Sequence, residues 1–101
     1  GLKLGATSAV GSTYNFAARL SLETAGLYQS GNLEAARENQ AFCTRAIEIM
    51  LAHGGLPGIR AALAFAGIDC GPMRLPLQGV PASVAKAMKK ELDDIGYFER
   101  I

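Results

Sequence analysis

The sequence predicts an α/β chain in which one strand runs into a helix and a helical tail follows. Residues 6–10 (Ala-Thr-Ser-Ala-Val) are an uncharged run of small and β-branched residues bounded by Gly5 and Gly11. That is the pattern of a short strand buried on both faces of a parallel sheet. From Asn15 onward apolar residues recur at helical spacing, and Gly and Pro punctuate the periodic stretches. No second strand-like run exists, so the N–H and C=O groups of the first need partners outside these 101 residues. The chain starts at Gly1 rather than Met, and Leu2-Lys3-Leu4-Gly5 reads as the last turn of a helix begun upstream. The expectation is a piece of a larger protein.

The strand leads into four helical segments. The first, about Asn15 to Ser30, places Phe16, Leu20 and Leu27 on one face; Asn15 can cap its start and Gly31 stops it. The second, about Leu33 to His53, starts at Asn32 with Glu34 in its first turn and aligns Ala36, Cys43, Ile47 and Met50. Phe42, Ile49 and Leu51 widen that stripe, so this helix is expected at the centre of the packing. The third is short, Pro57 to Ala66, with Pro57 in the first turn and Gly67 beyond the end. Gly71, Pro72, Pro76, Gly79 and Pro81 make Asp69 to Pro81 a loop. The last helix, about Ala82 to Ile95, puts Val84, Met88, Leu92 and Ile95 on one stripe and Lys86, Lys89, Lys90, Asp93 and Asp94 on the other. Gly96 ends it, and Tyr97 and Phe98 can dock back. The division expected is residues 1–30 as a strand-helix unit and 31–101 as a helical extension.

Composition excludes some functions. Ten basic and nine acidic residues give a net charge of +1, spread along the helices, so no field favours nucleic acid or an anionic membrane. No apolar run approaches the roughly 20 residues that a membrane helix needs. Cys43 and Cys70 lack metal-ligand spacing and read as free thiols in a reducing cytosol, chiefly as small hydrophobes.

The chemistry-bearing stretch is Gly11-Ser12-Thr13-Tyr14-Asn15, where the strand opens into the helix. Gly11 permits close approach, Ser12 and Thr13 offer hydroxyls, and the first N–H groups of the helix favour an anion. A polar substrate with a carboxylate or hydroxyls suits such a site, and an ordinary capping turn explains the same residues. Tyr14 reads as a packing residue with its hydroxyl at the edge, and His53 as a complement to a helix C-terminus. No Cys, Asp or second His stands at ligand spacing from His53, and Ser12 has no His/Asp partner for a triad. Arg74, between Met73 and Leu75, is expected to bind carbonyls or a carboxylate at a packing or subunit interface. None of the lysines is placed in a desolvated pocket as a Schiff-base nucleophile must be: Lys86, Lys89 and Lys90 line a polar face, and Lys3 precedes the strand.

The run Gly5-Ala6-Thr7-Ser8-Ala9-Val10-Gly11-Ser12-Thr13-Tyr14-Asn15 resembles the eighth barrel strand of the pyruvate-dependent aldolase family that includes dihydrodipicolinate synthase, and its Gly-Ser-Thr-Tyr-Asn ending resembles the N-acetylneuraminate lyase branch. Gln40, Phe42-Cys43 and Gly71-Pro72-Met73-Arg74-Leu75-Pro76-Leu77-Gln78 resemble that branch's C-terminal helices and loop, so the similarity covers essentially the whole chain. The resemblance implies the last strand-helix unit of a (β/α)₈ TIM barrel, whose active site lies at the C-terminal ends of the strands, followed by C-terminal helices. It implies a Schiff-base lyase that cleaves N-acetylneuraminate to pyruvate and N-acetylmannosamine, with no metal and no organic cofactor, as a cytoplasmic homotetramer. The imine-forming lysine and the proton-shuttling tyrosine would lie upstream of Gly1, so no residue of this chain is expected to be catalytic. Matching by motif assigns Gly11 and Ser12 to the substrate's hydroxyl-bearing part and Leu56 to the pocket mouth. Another pyruvate-dependent aldolase, or a non-catalytic helical module whose strand pairs with a partner, remains as an alternative.

Overall fold

A computed structural model of all 101 residues shows an all-helical chain. A single 3-10 turn, Leu2–Leu4, is closed by Gly5 in the left-handed region. Five helices follow: α1 (Tyr14–Gln29), α2 (Leu33–Ala52), α3 (Leu56–Phe65), α4 (Ala82–Asp94) and the single turn α5 (Tyr97–Arg100).

The strand predicted over residues 6–10 does not form. Residues 7–10 neither donate nor accept a backbone hydrogen bond, and the segment is exposed rather than buried on both faces. The physical reason is partnership: a strand is defined by its ladder, and nothing in residues 16–101 offers an edge.

The helices track the periodicity closely. Asn32 caps α2, its side chain accepting from the Ala35 N–H at 3.4 Å. Gly31, with φ of 82°, turns the chain out of α1, and the Asn32 N–H reaches back to the Leu27 carbonyl at 2.9 Å. Asn15 does not cap α1: the flanking residue is Thr13, and the Asn15 Nδ2 donates to the Ser12 carbonyl at 2.8 Å from inside the helix. Residues 66–81 contain no regular element, as the Gly and Pro content requires.

The core gathers one stripe from each helix. Ala17 and Leu20 of α1, Ala46 and Met50 of α2, Ala62 of α3, Met88 and Leu92 of α4 and Tyr97 of α5 form one buried cluster. Ala36 is buried as well, while Cys43 and Ile47 are only partly covered. Gly58 is buried where α3 crosses α2, and a Cβ there would collide with the Met50 carbonyl, so the crossing requires glycine. The loop folds back on the α2–α3 turn, Val80 lying where a side chain on Gly54 would stand.

The loop is held from α3. The Arg60 guanidinium donates to the carbonyls of Cys70 and Gly71, and Asp69 Oδ1 accepts from the Gly71 N–H at 2.8 Å. Arg74 makes no such bond within the chain, and its side chain is exposed. Arg60 occupies a helix facing the loop, whereas Arg74 rides on the loop and points to solvent.

Candidate functional site

Residues 11–14 form a turn that closes on itself before α1 is established. The Tyr14 N–H donates to the Gly11 carbonyl at 3.2 Å and the Ala17 N–H to the Thr13 carbonyl at 2.8 Å. The N–H groups of Gly11, Ser12 and Thr13 have no acceptor within the chain, as expected of the donors that open a helix. No side chain caps this end, so the Ser12 and Thr13 hydroxyls are not spent on the helix. The Tyr14 ring lies against Gly11, where an added Cβ would stand 3.3 Å from it. Tyr14 itself is exposed, its ring touching the turn at Gly11.

This turn borders a groove of 660 Å³. One wall is residues 6–9 and 11–14; the other is the face of α1 bearing Ala18, Ser21, Leu22 and Ala25, with Gln40, Cys43 and Ile47 of α2 beyond and Tyr97 behind. The lining mixes hydroxyls with apolar surface. Burial pushes the Cys43 thiol above its ordinary range, the nearby Arg100 opposing that only in part. The Tyr97 phenol is also raised, again by desolvation first. Both groups stay neutral near neutrality.

Gly11 and Ser12 therefore share one groove. Leu56 does not join them: it opens α3 beside Gly55 and is half exposed outside the groove. His53 ends α2 as expected, its Nδ1 on the Ile49 carbonyl at 2.9 Å and its Nε2 3.2 Å from Glu91. Lys89 and Lys90 pair with Asp93 and Asp94 on the outer face of α4, at 2.7 and 2.6 Å. Lys90 is exposed, and Lys89 is half-buried over the Phe65 and Phe98 rings. No three His, Cys, Asp or Glu side chains converge, and no helix is long and apolar enough to cross a membrane.

Sequence reading passed over Asn39. It is buried, donating from Nδ2 to the Leu20 carbonyl and to Thr24 Oγ1, both at 2.9 Å. Its Oδ1 accepts from Arg100 Nη2 at 2.6 Å. The signal was present: Asn39 falls on the stripe that runs through Ala36, Cys43 and Met50, where a polar residue needs internal partners.

Comparison with known proteins places this arrangement. The profile of the dihydrodipicolinate synthetase family matches residues 1–95. The chain belongs to that family. Among curated proteins, the N-acetylneuraminate lyase of Rhizobium meliloti is 33% identical over 90 residues, covering 89% of this chain and 30% of that protein. The N-acetylneuraminate lyase of Sus scrofa is 34% identical over 103 residues, covering 97% and 32%. An uncharacterised DapA-like lyase of Halobacterium salinarum is 30% identical over 96 residues, covering 95% and 32%. The chain thus spans about a third of the length of the curated relatives it matches. No solved structure matches it. The dihydrodipicolinate synthetase family profile stops at residue 95, short of Tyr97 and Arg100.

Proposed function

We propose that this chain is the C-terminal part of a Schiff-base aldolase that cleaves N-acetylneuraminate to pyruvate and N-acetylmannosamine. In this reading residues 1–30 are the last strand-helix unit of a (β/α)₈ barrel and residues 31–101 its helical extension. The missing ladder of residues 6–10 would be made with the barrel strands that precede this chain, in a cytoplasmic homotetramer. The imine-forming lysine and the proton-transferring tyrosine would also precede it. Two features support that division: the lysines of α4 are solvated or ion-paired, and the run at 6–10 is a strand pattern without a partner.

The observation that carries the role of the turn is that the Ser12 hydroxyl and the first N–H groups before α1 are uncommitted at the rim of a groove. In a barrel this turn stands at the C-terminal end of the last strand, where the substrate is held. Ser12 would donate to or accept from a substrate hydroxyl. Gly11, with no side chain, would let the backbone come close. Leu56 would supply an apolar contact at the mouth.

Ser12→Ala in the full-length enzyme tests this. Loss of one hydrogen bond that leaves a buried polar partner unpaired should lower kcat/KM for N-acetylneuraminate by about 1 to 3 kcal/mol, roughly 5- to 150-fold. Borohydride trapping of the pyruvate imine should be unchanged, because the lysine is elsewhere. Unchanged cleavage would return Ser12 to the role of a turn residue. The DapA-like relative supports a second reading, another pyruvate-dependent aldolase with a different acceptor. Assaying the wild-type enzyme with pyruvate and a panel of aldehydes separates the two.

A further inference from the structure

The first turn of α1 is jointed to the rest of the helix. Ala17 departs from helical geometry, with φ of −128° and ψ of 28°, so the hydrogen bonds of the helix do not by themselves fix the direction of residues 11–16. The last six residues grip α1 on both sides of that joint. Beyond it, Arg100 holds Asn39, which in turn holds the Leu20 carbonyl and Thr24 Oγ1. Arg100 also lies 3.7 Å from Glu23 and stacks 4.2 Å over the Phe42 ring. Before the joint, the Tyr97 ring meets Phe16 edge to face at 6.4 Å and forms part of the groove that Ser12 borders. Phe16 is in turn tied to Thr13, the residue after Ser12, by a backbone hydrogen bond of 3.2 Å.

We propose that Tyr97 and Arg100 form a latch that sets the angle of the Ser12 turn, and that Arg100 and Asn39 are positioning residues for the substrate-binding end of α1. This rests on the reading of Ser12 given above. Arg100 anchors α5 through a charge-assisted hydrogen bond and a stacked guanidinium, and α5 thereby presses Tyr97 against Phe16. A jointed helix can swing at Ala17, and the Tyr97–Phe16 contact removes that freedom.

A double-mutant cycle in the full-length enzyme tests the latch. Arg100→Met keeps the apolar stem over Phe42 and loses the charge and the donors. It should lower kcat/KM for N-acetylneuraminate roughly 2- to 30-fold, the range for substitutions that act on a site through intervening packing. The change should fall on KM, should leave borohydride trapping of pyruvate unchanged, and should be partly rescued by Arg100→Lys. In the Ser12→Ala background Arg100→Met should add little, since the group being positioned is gone. An equal loss in both backgrounds, or none in either, overturns the latch while leaving the Ser12 reading intact. A neutral Ser12→Ala overturns both. If Arg100→Met does not accumulate as folded protein, Glu23→Gln loosens the same cross-tie and is read by the same criteria.

Discussion

Tyr97 is 2% exposed, and its ring meets Phe16, Phe42 and Phe98 at centroid distances of 6.4, 6.3 and 5.4 Å. Each such pair contributes about 0.5 to 1.5 kcal/mol beyond the area it buries. Desolvation pushes its phenol well above the ordinary range, with Cys43 adding to the effect. An unfolded tyrosine ionises near pH 10. The neutral buried ring therefore contributes stability that is fully present below about pH 10 and is lost as pH rises further, because the unfolded chain releases the proton first. In the full-length protein, Tyr97→Phe should flatten the alkaline limb of a stability-versus-pH curve. An alkaline limb identical to wild type would show that the hydroxyl is solvated.

At the scale of elements, α2 is the spine. It carries the cap at Asn32, the polar cross-tie at Asn39, core residues Ala46 and Met50, and the crossing with α3 at Gly58. Met50 is fully buried there, with its own carbonyl against Gly58. Met50→Asp should destabilise the protein by roughly 3 kcal/mol or more, since an unpaired charge would enter the core. A shift below about 1 kcal/mol in denaturant melts would place that face at the surface. The helices were legible because 3.6-residue periodicity and local punctuation decide them: Asn32 with Gly31, Pro57 with Gly67, and the Pro/Gly loop mark boundaries in both sequence and structure. Asn15 was misread because the helix starts one residue earlier: the Thr13 carbonyl already accepts from the Phe16 and Ala17 N–H groups, which leaves Asn15 inside the first turn.

For the whole molecule, the decisive fact is apolar surface without cover. Leu4 and Val10 are almost wholly exposed, and Leu22 is 72% exposed on the groove face of α1, beside Ala18. Large apolar side chains left this exposed mark surface that another segment covers. The isolated chain should bind a hydrophobic dye and aggregate without a defined stoichiometry, while the full-length protein should bind no dye and stop at its tetramer. Concentration-independent sedimentation of the isolated chain as a monomer that binds no dye would mean that the groove needs no further protein against it.

The sequence by itself determined the helices and the family, because those follow from local periodicity and from residues that can be matched one by one; of the stripes it marked, Ala36 and Met50 are buried, Cys43 and Ile47 are partly covered and Leu51 is exposed. It also marked residues 6–10 as strand-like, but a strand is a relation between segments, and the segment stays unpaired in this chain. Tertiary structure alone decided that Arg60 holds the loop, that Leu56 stands apart from Ser12, and that Arg100 reaches Asn39 across 61 residues. These are relations between separate elements of the fold. Their partners are chosen by the angles at which the apolar stripes pack, and no local signal encodes those angles.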